Sequence, residues 1–464
     1  MSYQFSKYET HYRNLTYLGV PIIIGQLGNL ILNFADTLMI GHHSTEELAA
    51  AAFVNNMFTL VIIFAIGFTY AITALVGILY GQDKTHRIGE VMKSAAAANT
   101  CMAILLSAIM IVLYLNIHRL GQPEELLPLI RPYFLIQLVS LPFVCWFNTF
   151  RQFTDGITDT KVAMWILVAG NVMNIFGNWI LIYGHLGLPE MGLVGAGLST
   201  MISRIVMAFI MVGIFFFSKK YKEYKKGWSL GQVKYADFKQ ITVLGIPLAL
   251  QMGMETAAFS LSSLMVGWFG TESLAAHQVM LTISQLGYMI YYGLAAAVAV
   301  RISNFMGQRD YLAVRRTATA GIHLVFLLAI LTSVPIFICR HIIGGLFTDN
   351  VNVISMVSMT IIPFMIYQFG DGLQCNYANA MRGTANVRPL IWIAFVSFFI
   401  VSLPLGYLFG VVMNYQLVGV WFAFPFGLTL SGVLYYIYYQ KGLNKIESGE
   451  IGRASCRERV FRAV

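Results

Sequence analysis

The sequence predicts an all-α membrane protein, with twelve transmembrane helices in two pseudo-symmetric six-helix lobes around a central cleft. Three observations predict it: an extreme apolar composition, a series of apolar runs each long enough to cross a bilayer, and an internal repeat that divides the chain in two. Hydrophobic residues make up 58% of the 464 residues and charged residues 11%. An ordinary soluble domain carries about 25% charged residues. A chain this apolar cannot cover itself with polar surface in water, whereas one that faces lipid has no need to.

About 20 consecutive apolar residues span the hydrocarbon core as a helix. Such runs fall at 15–41, 51–80, 89–117, 125–150, 162–184, 193–217, 240–267, 275–303, 316–339, 352–381, 389–411 and 416–440. Strands of a membrane barrel would be shorter and would alternate in polarity, which these runs do not. The net charge of +9 reads as topology, not as affinity for nucleic acid. Lys219, Lys220, Lys222, Lys225, Lys226, Lys234 and Lys239 crowd the connection between the sixth and seventh runs, while the connections on the opposite side hold Arg119, Arg131 and Arg340. The excess of Lys and Arg on one side places both termini in the cytoplasm. A multi-pass protein of a bacterial inner membrane is expected, working as a monomer in the lipid bilayer without nucleic acid. The start is polar and charged and leads into a full-length span, so no cleavable signal is read there. Cys101, Cys145, Cys339, Cys375 and Cys456 form no CxxC pair, which argues against a disulfide framework or a zinc site.

The repeat has an offset of 226 residues. LGVP at 18–21 returns as LGIP at 244–247, and LMIG at 38–41 as LMVG at 264–267. Gly67 matches Gly293, and Gly81-Gln82 matches Gly307-Gln308. An even number of helices per half gives both halves the same orientation, as in parallel-repeat transporters. The expected organisation is an N-terminal lobe at 1–217, a basic cytoplasmic linker at 218–239 and a C-terminal lobe at 240–445. The last stretch, 452–464, turns abruptly polar and basic, and the tail at 446–464 reads as disordered or as an extension derived from expression.

Three carboxylates lie well inside the runs: Asp36, Glu255 and Asp371. Each costs roughly 2.5–3.5 kcal/mol at mid-helix, so the default reading is function, facing a cavity or a partner. Asn33 precedes Asp36 by one helical turn, and Asn174 and Asn178 share a helix face. A carboxylate with amide oxygens suits a proton or a hard cation such as Na+. In the second half Gln251 lies one turn before Glu255, and Tyr367 one turn before Asp371. Gly370, Gly372 and Pro363 suggest a bent helix there. At the repeat offset Asp36 corresponds to Ser262 and Glu255 to Asn29. The acids therefore break the internal symmetry, unlike a scaffold pair inherited by both halves. Arg204 reads as a structural partner and His323 as a packing residue. His42 and His43 lack metal-ligand spacing.

RQFTDGITDTK at 151–161, NIFGNWILIYG at 174–184, AAHQV at 275–279, METAAFS around Glu255 and IYQFGDG around Asp371 together resemble the multidrug and toxic compound extrusion (MATE) family, in particular its bacterial NorM-like branch. The resemblance runs from about residue 10 to 445. It implies two six-helix lobes with a V-shaped cleft, and export of small organic cations by antiport with Na+, the favoured ion, or H+, with no cofactor. It implies a cation-coupling site in the second lobe at Glu255, Asp371 and Tyr367, with Na+ as the candidate metal. It implies a first-lobe site at Asp36, Asn174, Asn178 and Thr200, to which spacing adds Asn33. Archaeal relatives have an aspartate where Asn178 stands, so a first-lobe proton relay is less expected here.

Other classes fare worse on the residues. HExxH and a Walker A loop are absent, which speaks against a zinc protease and against ATP-driven transport. Position 368 is Gln where the GxGD motif of intramembrane aspartyl proteases needs Gly. The alternative is a flippase of lipid-linked oligosaccharide precursors from the wider superfamily. Such a protein needs basic residues in its cavity, and Arg204 alone reads as intramembrane. Twelve non-identical helices offer no symmetric pore for a channel.

Overall fold

A computed structural model describes residues 7–119 and 123–448. Among the described residues, twelve helices are long and apolar enough to cross a membrane. We number them α1 (Glu9–His43), α2 (Thr45–Gly81), α3 (Thr85–Leu115), α4 (Leu127–Gly156), α5 (Thr160–Tyr183) and α6 (Gly192–Phe217). After the linker follow α7 (Tyr235–Gly267), α8 (Thr271–Gln308), α9 (Tyr311–Ile338), α10 (Val351–Gly383), α11 (Arg388–Val412) and α12 (Gln416–Glu447). The spans read from sequence agree with these to within seven residues at each end, because apolar length decides both. Helix starts extend outward to capping residues. Asp310 Oδ1 accepts from Ala313 N at 2.9 Å, and Asn350 Oδ1 accepts from Asn352 N at 2.9 Å, satisfying first-turn amides. α12 runs on to Glu447, so the first residues of the expected tail are helical, while 449–464 lie outside the described residues.

The chain packs as two compact units. Ile24–Ala249 form one, and the described residues up to Ile23 pack with those from Leu250 onward into the other. The unit boundaries therefore fall inside α1 and inside α7, and positions 23 and 249 are themselves related by the repeat offset. The repeat halves read from sequence, 1–217 and 240–445, do not share these boundaries. Glycine contacts account for the difference. In one unit, a Cβ on Gly293 of α8 would stand 2.8 Å from Ile23 N. In the other, a Cβ on Gly67 of α2 would stand 2.8 Å from Ala249 Cα. Each leading segment lies with its backbone on a glycine, a proximity that small residues permit between membrane helices. The repeated LGVP and LGIP motifs sit just before the two crossing points. Each unit keeps its own apolar core, around Phe58, Phe134 and Leu141 in one and around Phe364, Phe398 and Trp421 in the other.

The basic linker is ordered. It forms a helix at Lys222–Leu230 that crosses α3 at two glycines: a Cβ on Gly227 would meet His86 O, and one on Gly89 would meet Tyr224 O, each at 2.0 Å. Ionic contacts hold it there. Arg87 donates to Glu90 at 2.8 Å and to Asp237 at 2.5 Å, and Lys234 donates to Glu90 at 2.6 Å. Asp159 accepts from Lys220 and from Tyr221 Oη, both at 2.5 Å. Burial, and then the bond to Asp159, push the Tyr221 phenol up, so it remains the donor.

Gly67→Val and Gly293→Val are expected to lower the thermal unfolding midpoint of the purified protein, each by the equivalent of about 1–3 kcal/mol, because the added carbons meet backbone. Gly267→Ala, where nothing lies within 4 Å of the new carbon, is expected not to lower it.

Candidate functional site

The second-lobe acids stand on two helices and are finished by a third. Asp371 on α10 is 2% exposed and Tyr367, one turn earlier, 4%. Tyr291 of α8 donates its hydroxyl to Asp371 Oδ2, and the Tyr367 hydroxyl faces the same carboxylate. Glu255 on α7 is held from another side. Arg382 Nη2 donates to Gln251 Oε1 at 3.0 Å, and Gln251 Nε2 donates to Glu255 Oε2 at 3.0 Å. A guanidinium can only donate, so it fixes which end of the Gln251 amide meets it, and the NH2 is left for the carboxylate. Gln374 reaches Glu255 as well: its Oε1 lies 2.6 Å from Ser431 Oγ, and its side chain hydrogen-bonds the Glu255 carboxylate. Both carboxylates thus face hydroxyl or amide donors, the arrangement that stabilises a buried negative charge.

An aromatic wall backs Tyr367. The rings of Phe364, Trp421, Phe424 and Phe259 lie 5.7–6.4 Å from it. Behind the wall His277, fully buried, accepts at Nδ1 from Trp421 Nε1 at 3.1 Å. Indole only donates, so Nδ1 carries no proton. Nε2–H therefore donates to Ser263 Oγ at 2.9 Å, whose own hydroxyl donates to Phe259 O. The histidine of the AAHQV motif is a neutral packing group with one defined tautomer.

The first-lobe residues gather differently. Asn178 Nδ2 donates to Asp36 Oδ1 at 2.5 Å, Asn174 Nδ2 donates to Thr200 Oγ1 at 3.1 Å, and Ser199 Oγ donates to Asn174 O at 2.8 Å. Gly177 lets α6 approach here, since a Cβ on it would stand 2.4 Å from Ser199 Oγ. Among the described residues, the buried Asn174 Oδ1 and Asn178 Oδ1 have no hydrogen-bond donor. Two orphaned carbonyl oxygens one turn apart, beside a carboxylate, make an oxygen-only acceptor set. Asn33 stands apart from it: its side chain is exposed, and its backbone oxygen accepts from Thr37 Oγ1. One turn of helix puts Asn33 near Asp36 in register but not on its buried side. Arg204 donates to Gln137 Oε1 and Ser140 Oγ, both at 2.7 Å, in keeping with a structural partner. His323 Nδ1 meets Tyr12 Oη at 2.8 Å.

Sequence reasoning missed Tyr291, Gln374 and Arg382. The run GYMIYYG at 287–293 places Tyr288 and Tyr291 one turn apart, and Arg382 stands seven residues, about two turns, from Cys375, so the signals were spacing within aromatic and helix-end segments. Among the described residues no three His, Cys, Asp or Glu side chains gather. The chemistry on offer is that of single carboxylates with amide and hydroxyl oxygens, suited to hard cations and protons and unsuited to transition metals.

A family profile described as MatE matches residues 21–180 and 247–408. A probable multidrug resistance protein NorM of Photorhabdus laumondii is 29% identical over 92% of this chain and 94% of its own length. One of the same description from Mannheimia succiniciproducens is 27% identical over 93% and 94%. A mutant of the Vibrio cholerae MATE transporter VcmN superposes with a TM-score of 0.85, at 17% identity, over 95% of this chain and 98% of that one.

Trp421→Phe is expected to destabilise the protein by about 1–3 kcal/mol, since it leaves the buried His277 Nδ1 without its donor. Thermal unfolding in detergent checks this. A variant as stable as the parent would show that the indole bond carries no weight.

Proposed function

The chain belongs to the MATE family, whose members are transporters and not enzymes, and from that premise we propose that it is a secondary antiporter exporting small organic cations in exchange for Na+. The multidrug names of the relatives support organic drugs as the cargo, in preference to lipid-linked oligosaccharides. The observation that carries the choice of ion is the first-lobe acceptor set. A proton needs only the Asp36 carboxylate. The orphaned oxygens of Asn174 and Asn178 beside it, with Thr200 Oγ1 near, are ligands for a hard cation of the Na+ type.

The second-lobe carboxylates serve the cargo and its release. Glu255 and Asp371, held by Gln251, Gln374, Tyr291 and Tyr367, would keep negative charge inside the membrane, where a cationic drug is drawn to it, and the Tyr367 wall offers aromatic faces to its cation. Exchange requires that Na+ and drug favour different states of the protein, since a ligand shifts an equilibrium only by its differential affinity. The distribution of Lys and Arg supports cytoplasmic termini, with Na+ entering from the opposite side.

The test is efflux of ethidium from proteoliposomes under a Na+ gradient or a pH gradient, imposed separately. Asn174→Ala and Asn178→Ala are expected to weaken apparent Na+ affinity by about tenfold each, the equivalent of ~1.4 kcal/mol. Glu255→Gln and Asp371→Asn are expected to abolish efflux under either gradient. Efflux driven by pH alone and indifferent to the asparagines would move coupling to protons. No efflux from folded protein would count against cation export.

A further inference from the structure

A second polar site, whose lining includes none of Asp36, Glu255 and Asp371, lies within one compact unit. At the end of the bundle where α1 begins, α8 ends and α9 begins, a cavity of about 340 Å³ is lined by Thr10, His11, Asn14, Arg301, Arg316 and Asp310, with Phe305 at its side. That volume holds on the order of ten waters at about 30 Å³ each, ample for a phosphate group and the atoms esterified to it.

The charges converge. Both Arg301 and Arg316 lie close enough to His11 to act on it electrostatically. The Arg301 guanidinium sits over the Phe305 ring, 4.6 Å from its centre, and His11 packs on the same ring at 5.9 Å, so Phe305 holds two cationic or polar heads in place. His11 Nδ1 meets Thr317 Oγ1 at 3.1 Å, fixing the imidazole. Among the described residues nothing hydrogen-bonds the buried Arg316 Nε. Among the described lining residues two guanidiniums accompany one carboxylate, Asp310, which caps Ala313 N; the acid-lined sites of the proposed transport cycle have the opposite bias.

Depth indicates what such a cavity meets. Arg301 stands seven residues before the end of α8, about 10 Å along the helix, and Arg316 five residues into α9. That range of depth runs into the headgroup layer, outside a core of about 30 Å within a bilayer of about 40–45 Å. Guanidinium forks match phosphate oxygens in geometry and charge, and basic pockets between helix ends on the cytoplasmic side fit phosphate-bearing headgroups.

We propose that this cavity binds a phosphate group through Arg301 and Arg316, with His11, Thr10 and Asn14 as neutral partners. Its source is either an acidic phospholipid headgroup or free phosphate, and the experiment separates the two. Thermal unfolding of the purified full-length protein is followed in uncharged detergent, with phosphatidylglycerol added in one arm. In the other arm inorganic phosphate replaces chloride at equal ionic strength. Binding to the folded state raises the midpoint with ligand concentration. Stabilisation by phosphatidylglycerol alone assigns the site to lipid, and stabilisation by inorganic phosphate assigns it to the free anion; both support the proposal.

Arg301→Gln with Arg316→Gln is expected to weaken the stabilising ligand at least tenfold. Because that pair of changes risks misfolding, Thr10→Glu supplies a second reading: it adds a carboxylate at the exposed rim and keeps both arginines. It is expected to leave the ligand-free midpoint in place and to lose the ligand-dependent rise. No rise in either arm for the parent protein, or a rise of equal size in Thr10→Glu, would overturn the proposal.

Discussion

A bilayer core supplies no hydrogen-bond partners, and the rest of this structure is a response to that constraint. Backbone amides and carbonyls must be satisfied within each span, so the chain crosses as helices. Polar side chains inside the spans must likewise find one another or stand bare at a cost. The Arg382–Gln251–Glu255 series illustrates the logic. An arginine and a glutamate are joined through a glutamine whose two ends are of opposite character. Where oxygens are left bare, as at Asn174 and Asn178, the same constraint turns the omission into a reason to look for a cation.

Much of this was legible in the sequence, because the same physics writes the signal. Apolar length marks the spans, and the cost of burying charge marks Asp36, Glu255 and Asp371. The asymmetry of those acids across the repeat separates them from scaffold. Spacing puts Asn174 and Asn178 on one helix face, and that face is buried. For Asn33, which is exposed, a shared register says nothing about which side of the pair faces the protein. Tyr291 escaped because a tyrosine in an apolar run is indistinguishable from a packing residue until its hydroxyl is seen to meet Asp371. The linker's composition showed its charge. Its docking depends on Gly89 and Gly227, two residues whose role shows only when the helices are seen to touch.

The two sets of polar residues divide the chemistry between them. In the C-terminal half, donors converge on the carboxylates and hold them in place. In the N-terminal half, a single carboxylate is accompanied by acceptors. A cation arriving at the first would displace hydrogen bonds, whereas one arriving at the second would find oxygens already vacant. Such a difference favours quite different ligands at the two places.

The crossing points inside α1 and α7 carry a further consequence. Each repeat surrenders its leading segment to the glycine of the other repeat's second helix, Ile23 lying on Gly293 and Ala249 on Gly67. A polypeptide holding one repeat alone would expose that glycine groove, and the natural filler would be the leading segment of a second copy. Reciprocal exchange of an element between identical protomers is domain swapping. In a chain that carries both repeats, the linker makes the swap intramolecular and replaces a concentration-dependent encounter by a fixed effective concentration. Severing the chain within the linker would therefore yield two fragments, each lacking a piece of its own compact unit, that are interlocked by mutual loan and not merely adjacent.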